Sequence, residues 1–146
     1  MPHDLPVSEF GLTPAAKDSC ARLVLQGSKR ATTSLLAAYA HDHEPLPRPG
    51  QRSVVRDGCG RDIAIIEVIR VETRRLREVD AAYAATEGDR SLAHWQQAHW
   101  RYLGAECTRV GVALSEDVEV VLEYFEVVTP LLDLAYFQPA DRLRKG

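Results

Sequence analysis

A chain of 146 residues with 45% hydrophobic and 27% charged residues has ordinary globular composition and enough length for one self-sufficient core. No apolar run reaches the roughly 18 residues that a bilayer crossing needs, and MPHDLPVSEF lacks the basic start and apolar stretch of a secretory signal. The formal charge of −3 speaks against a general DNA-coating protein, which would normally be basic. The expectation is one cytoplasmic domain over residues 1–146, with no membrane partner.

Cys20, Cys59 and Cys107 are odd in number and widely spaced, which fits neither a disulfide framework nor a zinc finger. Charge is distributed unevenly. Lys29–Arg77 holds 10 basic and 6 acidic residues, whereas Glu78–Gln138 holds 3 basic and 11 acidic. A basic face on an acidic body would attract phosphates; alternatively, the two signs mix again on the folded surface.

In chain order, Thr13-Pro14 opens a helix, with Thr as N-cap and Pro at the first helical position. Ala16, Cys20, Leu23 and Val24 recur at helical spacing, and Gly27 is placed to close the helix in left-handed conformation. Ala31–Leu36, with the β-branched Thr32 and Thr33, reads as a strand. His41–Gly50 carries Pro45, Pro47 and Pro49 and reads as a loop. Asp57-Gly58-Cys59-Gly60 marks a hairpin between Ser53–Arg56 and a long strand over Arg61–Val71. Asp80 caps a short helix through Ala85. Ser91 caps a longer one through Val110, stopped by Gly111, with Leu92, Trp95, Trp100 and Leu103 as its apolar face. Val118–Val128 is the last strand and Pro130 ends it. Strands with non-alternating helices indicate an α+β fold around a small curved sheet or barrel.

Two stretches concentrate chemistry. In Gly27–Ser34 a glycine turn exposes backbone N–H groups beside the Lys29 ammonium and the Thr32 and Thr33 hydroxyls, a combination suited to an anion. The plain alternative is a helix end followed by a solvated lysine and a strand. In Thr86–Ser91, Glu87 is a candidate base and Arg90 a candidate grip on an oxyanion; the plain alternative is a helix start decorated with charge. His41-Asp42-His43-Glu44 lies in a Pro-rich loop that fixes no metal geometry. His94 and His99 are five apart on a helix and point in different directions. No metal site or cofactor is expected.

Gly27-Ser28-Lys29-Arg30-Ala31-Thr32 resembles the G-x-K-x-x-T signature of ASCH-domain proteins, within the PUA-like superfamily. The resemblance continues through Ser34-Leu35-Leu36, Pro47–Gly50, Ser53-Val54-Val55, Glu67, Glu87–Leu92, Trp95, His99-Trp100 and Phe125–Val128. It implies a PUA-like small β-barrel with helices packed around a cleft, a core over about 9–129 and a tail over 130–146. It also implies an RNA, nucleotide or nucleoside ligand. By residue it implies Lys29, Thr32 and Glu87 as catalytic candidates, with Arg30, Thr33, Ser34, Asp89 and Arg90 as substrate-binding candidates. Ser34 departs from the Arg that many members carry there.

Three functions follow from that resemblance. The leading one is a metal-independent ribonuclease acting on single-stranded RNA, with Lys29 stabilising the charged phosphorus and Glu87 taking the 2′-hydroxyl proton. The second is an N4-acylcytidine amidohydrolase with Thr32 as nucleophile, activated by Lys29, and Glu87 orienting the pair or relaying a proton. The third is an RNA-binding module without catalysis.

Overall fold

The computed structural model describes residues 4–137, so the expected tail over 130–146 lies outside the described residues from position 138 onward. The fold is α+β, with five strands ordered β1-β3-β4-β5-β2 and four α-helices among the described residues. Strand β1 (Val7–Ser8) pairs in parallel with β3 (Arg52–Arg56), and the remaining pairings are antiparallel. The order runs from edge β1 to edge β2 without closing, which makes the PUA-like barrel an open one.

The long strands β4 (Asp62–Arg75) and β5 (Glu119–Pro130) form its backbone. Register shifts between Ile65 and Ile66 and between Val68 and Arg70 bend this pair, as extra residues in a ladder do. Strand β4 outruns the expected Arg61–Val71, because Thr73, Arg74 and Arg75 find partners in Val121, Val120 and Glu119. The price of that curvature is that Ile69, at a bulge, is half exposed instead of packed.

Helix α1 (Pro14–Gln26) starts as expected, with Thr13 Oγ1 accepting from the Ala16 N–H at 3.1 Å. Its end is a Schellman motif: Gly27 N–H reaches the Val24 carbonyl and Ser28 N–H the Leu23 carbonyl, with Gly27 at φ 85°. Strand β2 (Ala31–Leu35) ends one residue earlier than expected, and Leu36 opens α2 (Leu36–His41), a helix the sequence reading missed. Helices α3 (Ala81–Thr86) and α4 (Leu92–Val110) carry the anticipated caps, Asp80 on Tyr83 N–H and Ser91 on His94 N–H. Trp100 is 45% exposed, a correction to the apolar face assigned to α4. Five positions on from Trp95, it is rotated well away from the Trp95–Leu103–Cys107 stripe.

Two apolar clusters grip the sheet. Ala21 and Val24 of α1 pack on Val55, Ile63, Ala64, Ile66 and Phe125. Helices α2, α3 and α4 cover Ala31, Leu35, Val120 and Leu122 with Ala38, Tyr83, Ala84, Trp95, Leu103 and Cys107. The hairpin turn docks on the start of α1, where Asp18 accepts from Gly58 N–H at 2.8 Å. All three cysteines are free thiols, and no helix among the described residues is long and apolar enough to cross a membrane.

Candidate functional site

Lys29 and Glu87 lie 58 positions apart and meet because two helix ends are built alike. Helix α3 also closes on a Schellman pattern, with Gly88 N–H on the Ala85 carbonyl and Asp89 N–H on the Ala84 carbonyl. Gly88, at φ 87°, sits so close to the end of α1 that an added Cβ would be 3.3 Å from Leu23 Cδ1 and 3.6 Å from Lys29 N. Arg30 N–H then ties the strand entry to the Thr86 carbonyl at 2.7 Å. The backbone therefore delivers both side chains to one place before either charge acts.

There the Lys29 ammonium donates to Glu87 Oε1 and to the Ala31 carbonyl, each at 2.8 Å, with the Phe10 ring 5.2 Å away. Lys29 is 5% exposed and Glu87 6%. Glu87 Oε2 accepts from Thr33 Oγ1 at 2.5 Å and Trp95 Nε1 at 2.9 Å, and His99 Nε2 lies at 3.2 Å. Burial pushes the Glu87 carboxyl up. The Lys29 charge and the His99 and Lys29 hydrogen bonds more than offset this and hold it well below the usual carboxylate range. A carboxylate so anchored is poor at taking a proton and good at fixing an ammonium.

The supporting hydrogen bonds can be counted by protons. Thr33 gives its proton to Glu87, so Tyr83 OH donates, sharing one proton between Thr33 Oγ1 at 3.1 Å and the Thr32 carbonyl at 3.0 Å. His99 Nδ1 faces the Trp95 carbonyl at 2.9 Å while Nε2 faces Glu87 Oε2 at 3.2 Å. The imidazole also stacks on Trp95, with ring centroids 4.0 Å apart.

The structure thus joins Lys29, Thr33 and Glu87 in one hydrogen-bonded group, of which the Thr32 side chain is not a member. Alternation along β2 buries Thr33 on the face that carries Ala31 and Leu35 and turns Thr32 and Ser34 the other way. Thr32 Oγ1 makes no hydrogen bond among the described residues. Two of the three Lys29 N–H groups are committed, and the third finds no acceptor among the described residues. Ser34 meets Tyr39 beside a cavity of about 170 Å³ lined also by Asp42, Glu44, Tyr102 and Glu106. Asp89 is held by His94 Nδ1 at 2.5 Å, and the exposed Arg30 and Arg90 form no ion pair among the described residues.

Sequence reasoning gave no role here to Tyr83, Phe10, Trp95 or His99, although the last two stand in the segments that carry the resemblance. The four-residue spacing of Trp95 and His99 was the available signal, since it puts both on one helical face. The basic stretch is largely neutralised: Arg52, Arg56, Arg61 and Arg77 pair with Glu67, Asp62, Asp57 and Asp117, and Arg70 and Arg74 share Glu72. For a metal, Asp18, Asp57 and Cys59 bring ligand atoms within 4.8 Å of one another. Their carboxylates already serve Gly58, Cys59 and Arg61, which leaves little for a cation.

A family model described as ASCH domain matches residues 7–129. Among solved structures, the chain is similar to the ASCH domain from Lactobacillus crispatus, with a TM-score of 0.82 and 37% identity over 86% of this chain and 80% of that one. A protein from Enterococcus faecalis gives 0.79 and 29% over 88% and 83%. A mutant ASCH protein from Zymomonas mobilis shares the fold, with 0.51 and 12% over 97% and 78%. No curated protein matches the chain.

Proposed function

The chain belongs to the ASCH-domain family, which is associated with RNA binding, and from that premise we propose that it is a metal-independent hydrolase of an acyl amide on a nucleoside-sized substrate. The observation carrying this reading is the buried Lys29 ammonium, fixed by Glu87 with one N–H uncommitted. A preorganised cation in a dry site is suited to the oxyanion that forms when an amide carbonyl is attacked. Thr32, half-buried and unbonded on the neighbouring strand, is the nucleophile in this reading. Glu87 serves as the counter-ion that positions Lys29. The neutralised arginines and the carboxylates around the Ser34 cavity favour a small ligand over a polyanion.

A second reading, cleavage of single-stranded RNA, draws support from Arg30 and Arg90, exposed and unpaired among the described residues on the two segments that carry Lys29 and Glu87. One experiment separates them. The purified chain is incubated in EDTA with N4-acetylcytidine and, separately, with single-stranded RNA, beside Lys29→Met checked for folding by circular dichroism. Release of cytidine, reduced about 100-fold or more in the variant, is the expected result. Shortened RNA with intact N4-acetylcytidine moves the assignment to the second reading. Salt-sensitive RNA binding with neither product makes the domain a binding module.

A further inference from the structure

Thr32 stands directly opposite Glu123 in the antiparallel register of β2 and β5. Directly opposed residues share a face of the sheet, with Cβ atoms about 5 Å apart. This is the face turned away from Thr33, the one on which Phe125 packs against α1. Both side chains are partly buried, and neither makes a hydrogen bond or ion pair among the described residues. The Glu123 carboxylate is partly desolvated yet still open to solvent, since no fully buried side-chain oxygen among the described residues lacks a hydrogen-bond partner, so a ligand can reach it. We infer that Glu123 is the acid–base residue of this site, exchanging a proton between the Thr32 hydroxyl and the nitrogen of an acyl amide. The assignment rests on the hydrolase reading above and adds a residue to it.

The surroundings of Glu123 fit that task. Lys29 is a cation acting on it, and Tyr39 from α2 and Tyr83 from α3 lie within its field. Across β4 its register partner is Val71, which offers only methyl groups. Burial pushes the Glu123 carboxyl up and Lys29 only partly draws it back, so it stays above its ordinary value. Glu87 and Glu123 thus divide two duties. The saturated carboxylate fixes the ammonium, and the unsaturated one is free to accept and return a proton.

A donor from Lys29 beside an acceptor from Glu123 complements the C=O and N–H of a secondary amide. Thr32 Oγ bonds to the carbonyl carbon as its proton passes to the Glu123 carboxylate, and the carbonyl oxygen gains negative charge against Lys29. When that oxyanion collapses, the C–N bond breaks and Glu123 returns the proton to the departing nitrogen. Water then attacks the acyl-Thr32 ester and gives one proton to Glu123. The Thr32 oxygen leaves with a proton from Glu123, releasing a carboxylic acid and restoring both groups.

The full chain and its Glu123→Gln and Glu123→Asp variants are compared in two assays, with thermal unfolding as the check on folding. With N4-acetylcytidine, Glu123→Gln is expected to lower kcat about 100-fold or more, leave KM within about threefold and abolish the acid limb of the pH–rate profile; Glu123→Asp retains part of the rate. With p-nitrophenyl acetate, peptide mass analysis is expected to find one acetyl group on Thr32 in the unsubstituted protein and far less in Glu123→Gln. Labelling that depends on Glu123 without turnover of N4-acetylcytidine overturns the substrate reading and keeps the Glu123 assignment. Equal labelling or equal kcat in Glu123→Gln, or no label on Thr32 in the unsubstituted protein, overturns the assignment itself.

Discussion

Thr33 donates to Glu87 at 2.5 Å, while its neighbour Thr32 faces the other side of the same strand. Two adjacent threonines therefore have separable duties. Thr33→Val removes one donor from a buried carboxylate and an acceptor from Tyr83, which is expected to cost about 1–3 kcal/mol of stability. Thr32→Val removes an unbonded hydroxyl from a position that suits a β-branched residue, so stability should stay within about 0.5 kcal/mol. Turnover should nevertheless vanish. Urea unfolding read beside N4-acetylcytidine hydrolysis checks both, and a stable, active Thr32→Val protein would remove Thr32 from the chemistry.

The Lys29–Glu87 pair should behave as one unit. Deleting either partner strands a buried charge, so Lys29→Met and Glu87→Gln are each expected to lose about 3–5 kcal/mol. The double variant should lose clearly less than the two losses combined, because neither charge is left alone. Additive losses in a double-mutant cycle by denaturant unfolding would mean that the two side chains do not depend on each other.

Local signals made most of the chain readable in advance. Thr13, Asp80 and Ser91 as caps, Gly27 and Gly111 as stops and the Asp57-Gly58 hairpin all act within a few residues of where they sit. Helix α2 was hidden, since Leu36 follows a β-branched run and no capping side chain announces the start. The reach of β4 to Arg75 was hidden too, being set by pairing with β5 and not by its own apolar residues. At the site, Lys29 and Glu87 stand out in their own turns as well as in the resemblance, but strand alternation decides which threonine meets the glutamate. The place of Glu123 depends on a register between strands some ninety positions apart, which no local pattern encodes.

Two carboxyls should titrate with opposite consequences for stability. The folded-state pKa of Glu87 lies below its unfolded value of about 4.3, so the unfolded chain binds the extra proton in acid. Its contribution is complete above that unfolded value and lost as pH falls through the folded one. The stability gap between the unsubstituted protein and Glu87→Gln should therefore narrow as pH drops below about 4. Glu123 is raised, so its ionised form burdens the folded state above its folded pKa and the burden lifts as pH falls. Glu123→Gln should melt higher than the unsubstituted protein near pH 7 and equal it in acid. Thermal melts from pH 3 to 8 decide both signs.

Three glycines should form a graded series, because each one's role is different. A Cβ at Gly27 meets nothing within 4 Å, so Gly27→Ala carries only the strain of φ 85°, about 1–2 kcal/mol. Gly88→Ala adds to a similar strain a 3.3 Å contact with Leu23 at the joint between the Lys29 and Glu87 segments. Its stability loss should be somewhat greater, and its turnover should fall more than Gly27→Ala reduces it, because a small displacement there separates the ammonium from its anchor. Gly58→Ala would put a Cβ 2.2 Å from the Pro14 carbonyl oxygen, a backbone atom that cannot rotate aside. The hairpin must then lift from α1 and give up the Asp18 hydrogen bond, and a loss of at least about 3 kcal/mol is expected. Denaturant midpoints ranked Gly27→Ala, Gly88→Ala, Gly58→Ala from mildest to most severe would bear this out, whereas a Gly58→Ala protein as stable as Gly27→Ala would mean that the turn does not rest on the helix.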